Sequence, residues 1–201
     1  MKGNPTILDA TAANRCMWAT KESPFIEWID IEEDLEYKPD RILDCTNTDY
    51  PDKHFKAIFF DPPHSYGREK NSGIFTTPSK AVSDEKWPEW KRKHPRYYGL
   101  DKYPTKEALL GFINRAQKEF LRILQDDGML WLKWSENHSS LNAILPLFRD
   151  WNIMINIPAF TRRKTSTPTY WVMLMKNAEY MTKADEPRLH LSESTNNEGS
   201  E

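Results

Sequence analysis

A long apolar run is missing from this chain. No stretch approaches the ~20 apolar residues that a membrane span needs, so no membrane partner is expected. The opening residues, MKGNPTILDA, lack the apolar core of a secretory signal. Cysteine is scarce. Cys16 and Cys45 are too few for a disulfide framework, and both sit between apolar neighbours, so both read as buried free thiols. A soluble, reducing, intracellular setting follows, which places the chain in the cytoplasm. His54, His94, His138 and His190 have no partner at metal-ligand spacing, so no metal site is expected. No Ser-His-Asp arrangement can be argued either. The G-x-x-x-x-G-K-S/T pattern is absent, which speaks against an ATPase. The net charge of -2 gives no whole-chain argument for nucleic acid.

What is there is an alternation of short apolar runs with helical patterns. Strands are predicted over residues 6–11, 25–30, 41–45, 56–60 and 129–134, and a last pair over 153–157 and 170–175. Residues 13–21 read as a short helix. Residues 105–124 form the strongest helical pattern, with Leu109, Phe112, Ile113, Ala116, Phe120, Ile123 and Leu124 near one face. Thr105 is its expected N-cap, and Asp126-Asp127-Gly128 its expected break. A further helix is predicted over 141–148 after a Ser139 cap. This order implies an α/β fold: a mostly parallel sheet with helices on both faces. The last two strands lack room for a helix between them, so one of them is antiparallel. The eight tryptophans read mainly as core. One domain is expected over residues 1–177, followed by an acidic, disordered tail over 178–201.

Four of the predicted strands end on a carboxylate: Asp9, Asp30, Asp44 and Asp61. In an open parallel sheet, ligands bind beyond the carboxyl ends of the strands. A carboxylate after the second strand suits the hydroxyls of a ribose. One near the end of the third suits the amino group of adenine. Asp9 could hold an ammonium group, directly or through water. The bland alternative is that each acid caps a following helix. The fourth strand ends in Asp61-Pro62-Pro63-His64. An amine conjugated to a ring is a poor nucleophile, because its lone pair is delocalised. The Asp61 carboxylate and the Pro62 carbonyl could accept both of its N–H bonds and free that lone pair. The two prolines fix φ and so fix where the carbonyl points. His64 could stack on the base.

The segments ILDATAANRCMW, KPDRILDCTNTDYPD, FFDPPHS, LKWSE and YWVMLMK resemble, in the same order, class I S-adenosylmethionine-dependent methyltransferases. More narrowly, they resemble small phage-type members related to enzymes that methylate adenine N6 or cytosine N4 through a D/N-P-P-aromatic motif. The resemblance implies a Rossmann-like, seven-stranded sheet with an antiparallel last strand. It implies S-adenosylmethionine as cofactor, held by the loop Asp9, Ala10, Thr11, Asn14 and Arg15, by Asp30 at the ribose, and by Asp44 and Cys45 at the adenine. It places the target amine at Asp61, Pro62, Pro63 and His64, with direct in-line transfer of the methyl. One departure stands out: Thr11-Ala12-Ala13-Asn14 has no glycine where that family's first loop is glycine-rich.

Residues 67–106 carry ten Lys/Arg against five Asp/Glu, so this segment is +5 and the rest of the chain -7. Phe75, Trp87, Trp90, Tyr97, Tyr98 and Tyr103 are interleaved. The expected partner is nucleic acid: the cations pair with phosphates and the rings stack on unpaired bases, while the resemblance alone slightly favours DNA over RNA. The target base must be flipped or unpaired. Tyr66 and the basic Arg162, Arg163 and Lys164 are further candidates on the substrate side. Lys133, inside an apolar strand, should face the ligand edge, where it could hold a phosphate or pair with Asp61. The rival readings are methylation of a protein or small-molecule amine or amide, and a non-catalytic partner subunit that kept the fold. Oligomeric state is left open.

Overall fold

The computed structural model describes residues 4–66, 102–159 and 167–177. The proposed tail, most of the basic 67–106 segment, and Arg162, Arg163 and Lys164 lie outside them. Seven strands form one sheet: β1 (Ile7–Asp9), β2 (Ile26–Asp30), β3 (Arg41–Ile42), β4 (Phe55–Phe60), β5 (Leu124–Ser135), β6 (Trp151–Pro158) and β7 (Thr169–Lys176). Their order across the sheet is β3-β2-β1-β4-β5-β7-β6. The first five are parallel, whereas β7 runs antiparallel to both β5 and β6. The chain winds outward from β1 in one direction through β3, then returns and winds outward in the other from β4. The order therefore reverses between β1 and β4, and a crevice opens there beyond the strand ends.

Helix α1 (Lys106–Ile123) follows from its sequence. Thr105 caps it, its hydroxyl accepting from Ala108 N at 3.2 Å, and its apolar stripe faces the sheet. Leu109, Ile113, Ala116 and Phe120 join Leu8, Ile58, Phe60, Leu130, Leu132, Val172 and Leu174 in one core. Phe60 and Phe120 meet edge to face, 5.0 Å apart. Burying each such ring is worth roughly 1.5–3 kcal/mol. Arg122 fastens the helix end to the β3–β4 connection through Tyr50 O, Thr48 O and Asp52. Two buried tryptophans find partners for their N–H groups: Trp134 on Ser139 O and Trp151 on Gln117 Oε1. The opposite face carries a smaller cluster of Ala12, Ile26 and Trp28, joined by Ile7 and Trp18. Along it run the rings of Phe59, Trp131 and Trp171, in contact with one another. Among the described residues, α1 and α2 (Leu141–Ile144) both pack into the first core.

Several elements differ from the sequence expectation. Residues 13–21 form turns, not a helix, because Ala13 and Arg15 take positive φ (42° and 54°), which a right-handed helix cannot contain. β3 stops at Ile42, before Leu43-Asp44-Cys45. β5 begins at Leu124, directly after α1. The Asp126-Asp127-Gly128 step is absorbed inside the strand as a shift of register against β4. Of residues 141–148, only the first four are α-helical. The rest form a 3-10 turn with Pro146 near its start. Its N-cap is Ser140, without a side-chain bond, rather than Ser139. Cys45 is buried as expected, but Cys16 is exposed, since its segment is a turn at the surface.

Candidate active site

The loop after β1 is the first wall of the site. Ala10 N donates to Phe59 O on β4, and Ala12 N to Ile29 O on β2, so the loop is tied to both neighbouring strands. Positive φ at two non-glycine residues costs about 1–2 kcal/mol each. The surroundings hold them there. Ala13 N donates to Asp30 Oδ2 at 2.8 Å. Arg15 N donates to Ala12 O at 2.7 Å. The Arg15 guanidinium lies 4.0 Å over the Trp28 ring and donates to Lys21 O and Lys38 O. The loop thus adopts glycine-type geometry with alanine, whose methyl leaves the backbone accessible.

Beyond the strand ends this loop, β2, β4 and β5 enclose a cavity of about 580 Å³. Of the cofactor candidates, Ala10, Thr11, Asn14, Asp30, Asp44 and Cys45 line it. Asp30 does double duty, since Oδ1 accepts from Glu32 N while Oδ2 holds Ala13 N. Asp44 accepts from Thr46 N, a turn bond that leaves its carboxylate exposed. Burial pushes the Cys45 thiol far up, with the charges of Asp44 and Asp30 adding to it, which disfavours the thiolate that a nucleophile needs.

Asp9 and Arg15 are not among the lining residues. Asp9 is fully buried behind the loop, accepting from Trp18 Nε1 at 2.7 Å and Thr11 N at 3.2 Å. It braces the loop from within. Of the two contacts to an ammonium group expected from sequence, direct or through water, the direct one does not fit that position. Arg15 likewise faces backbone carbonyls and Trp28.

Asp61, Pro62, Pro63, His64 and Lys133 line the same cavity. Asp61 N donates to Thr11 Oγ1 at 2.8 Å, joining the end of β4 to the loop after β1. Its carboxylate is held on both sides: Oδ1 by His64 Nε2 at 3.0 Å and Oδ2 by Lys133 Nζ at 2.6 Å. Burial on its own raises the Asp61 carboxyl, but His64 and Lys133 outweigh it and keep the group below the ordinary carboxylate range. The His64 ring sets its edge against Trp134, with centroids 5.1 Å apart, and its Nδ1 is buried without a protein partner. Tyr66 is half-buried outside the cavity wall, its N donating to His138 Nδ1.

Sequence reasoning missed part of the wall. Ile31, Glu32, Leu35, Leu43 and Phe112 line it near Asp44 and Cys45, together with Tyr103, which the sequence had offered as a ring to stack on a base. Tyr103 packs on Phe112, and burial, then Cys45 and Asp44, push its hydroxyl up. Glu32 and Leu35 lack a regular pattern that could have marked them. Phe112 was legible only as core. Among the described residues, no three His, Cys, Asp or Glu stand close enough to hold a metal ion.

No protein-family model matches the chain, and no curated protein does either. Solved structures do resemble it in fold. The PH0226 protein from Pyrococcus horikoshii OT3 is 11% identical with a TM-score of 0.52, over 88% of this chain and 84% of that one. The 4+2 cyclase SpnF is 11% identical with a TM-score of 0.51, over 88% and 76%. A TehB-like SAM-dependent methyltransferase from Corynebacterium glutamicum is 9% identical with a TM-score of 0.47, over 87% and 81%. The chain has a Rossmann-like fold, a seven-stranded, mostly parallel sheet with antiparallel last strands. A neighbour named for a cyclisation is a reminder that a fold hosts several chemistries. The reaction has to be argued from the site.

Proposed function

We propose that this protein is an N-methyltransferase that uses S-adenosylmethionine to methylate the exocyclic amine of a nucleic-acid base, adenine N6 or cytosine N4, in DNA before RNA. One observation carries the reading: a single cavity joins Asp30 and Asp44 to Asp61-Pro62-Pro63-His64. The cavity suits the cofactor in size and chemistry. Asp30, Glu32 and Asp44 offer acceptors for hydroxyl and amino groups, and Leu35, Leu43 and Cys45 give an apolar wall for a flat ring. Asp30 would take the ribose with the lone pairs left over from Ala13 and Glu32. Asp44 and Cys45 would flank the adenine. The negative wall complements a cation, and S-adenosylmethionine supplies a methyl activated on a positively charged sulfur.

Asp61 and the Pro62 carbonyl would then orient the target amine by accepting its N–H bonds, so that the nitrogen lone pair faces the methyl. Holding the reacting atoms in line supplies much of the rate. The carboxylate stays ionised for this task, because His64 and Lys133 stabilise its charge.

The first test is calorimetric titration with S-adenosylmethionine and S-adenosylhomocysteine. Micromolar binding that drops sharply in Asp30→Ala supports the cofactor site. Absence of binding up to millimolar concentrations sinks the reading. With labelled methyl donor, Asp61→Ala should abolish methylation of single-stranded oligonucleotides while cofactor affinity stays within a few-fold. Full activity in that variant would remove Asp61 from the mechanism.

A further inference from the structure

The inference drawn here rests on the proposed function and adds a requirement on the substrate. Asp61 is meant to accept an amine, yet both of its carboxylate oxygens already have donors. The two donors are not equivalent. His64 is 11% exposed and its ring is wedged against Trp134. Lys133 is 28% exposed and opens on the cavity from β5. Among the described residues, its Nζ has no bond other than the one to Asp61. The wall beside it is made of Ser135, Asn137 and Thr169, all uncharged. Lys133 is therefore the donor that can leave, provided another anion takes it.

A base amine brings N–H donors but no anion. If it displaced Lys133 alone, it would leave an ammonium half out of water without a counter-charge, which is costly. A phosphate brings the anion and no donor. We propose that Lys133 is a specificity residue that passes from Asp61 to a phosphate of the substrate, so that a carboxylate oxygen is released to the amine only when the base arrives attached to its phosphodiester. Every charge remains paired through the exchange: phosphate on Lys133, amine and the cationic methyl donor beside Asp61. A free base, or a neutral side-chain amide, meets a masked acceptor. Rejection works by an unpaired charge, not by shape.

The test is binding, measured by calorimetry on the full chain. The probes are a single-stranded thymine-adenine-thymine trinucleotide with phosphodiester linkages and the same trinucleotide with neutral methylphosphonate linkages. The wild type should prefer the charged probe by about tenfold or more, the scale of one hydrogen bond between charged groups. Lys133→Met should lose most of that preference and bind the neutral probe at least as tightly as wild type, because Asp61 is unmasked. Lys133→Gln, which can still bond Asp61 but carries no charge, should lose the preference without gaining on the neutral probe. Should Lys133→Met fail to fold, this second variant still decides the first half. An unchanged preference in both variants overturns the proposal. So does a wild type that binds both probes equally, and that result leaves base methylation standing. A wild type that binds S-adenosylhomocysteine but neither probe removes the nucleic-acid reading together with the proposal.

Discussion

Asp9 is buried behind the first loop. Its carboxyl has no exposure and stands near Asp30 and Asp61. Burial pushes it up to about 7, against the pull of Trp18 and Thr11, and the two neighbouring acids add to the rise. The folded protein therefore holds this proton over a range in which the unfolded chain, near its ordinary value of 3.8, has released it. Asp9 thus withdraws stability as pH climbs from about 4 to about 7, by at most about 1.4 kcal/mol per unit, and no further above 7. Asp61, Glu119 and Asp126 are shifted downward and oppose this trend at the acid end. Denaturant unfolding of wild type against Asp9→Asn at a series of pH values isolates the one residue. Their difference should move toward the variant between pH 4 and 7 and then level off. A carbon-13 titration should give Asp9 a midpoint near 7. A midpoint in the ordinary carboxylate range would mean that Asp9 is more solvated than its position implies. The residue also marks where sequence reading ends. That Asp9 closes a strand was legible, but that Trp18, nine residues on, folds back onto its carboxylate was not.

Among the elements, β5 is the one whose start was misread, and the reason is local. Gly128 looked like a break after two aspartates. In the fold it sits inside the strand, buried, where the register against β4 shifts. A methyl there would lie 2.7 Å from Leu124 Cγ, 2.8 Å from Leu124 Cδ1 and 3.0 Å from Gln125 O. Leu124 is itself fully buried in the core, so it has little room to turn away. Gly128→Ala should cost about 1–3 kcal/mol by overpacking, read as a shift in denaturation midpoint with an unchanged slope. A neutral result would show that Leu124 can repack. Elements with a strong period were read almost to the residue: α1 with its Thr105 cap, β2, and β4, which ends at Phe60 just before Asp61. The turn at 13–21 was missed because its apolar spacing fits a helix, while its left-handed residues are held by Asp30 and by the carbonyls of Lys21 and Lys38. Of the site, the strand-end acids and the DPPH stretch were legible because strand direction alone brings them together. The wall of Glu32, Leu35, Tyr103 and Phe112 depends on how loops and α1 close over that edge.

At the scale of the whole molecule, charge is divided along the chain. Residues 67–106 carry +5 and the remainder -7. The acids at the cavity belong to the remainder, and they would repel a polyanion if nothing opposed them. A nucleic-acid substrate therefore has to be drawn in by lysines and arginines elsewhere, with Lys133, among the described residues, the lysine or arginine paired with Asp61 itself. Such pairing releases counterions, so kcat/KM on an oligonucleotide must fall steeply with salt. With four phosphates of a single strand paired, the slope of log rate against log salt is about -3, and a fourfold rise in salt costs about fiftyfold. A methyltransferase acting on a protein amide or a small neutral amine would show almost no slope. The measurement is initial rate with labelled methyl donor on an oligonucleotide and on a glutamine peptide across a salt series, with cofactor saturating throughout. A steep fall on the oligonucleotide, beside little turnover of the peptide, matches the proposed substrate. Comparable turnover of both with flat profiles would move the target from a base to an amide. The same Asp61 site would then be serving a neutral acceptor, and Lys133 would have no phosphate to receive.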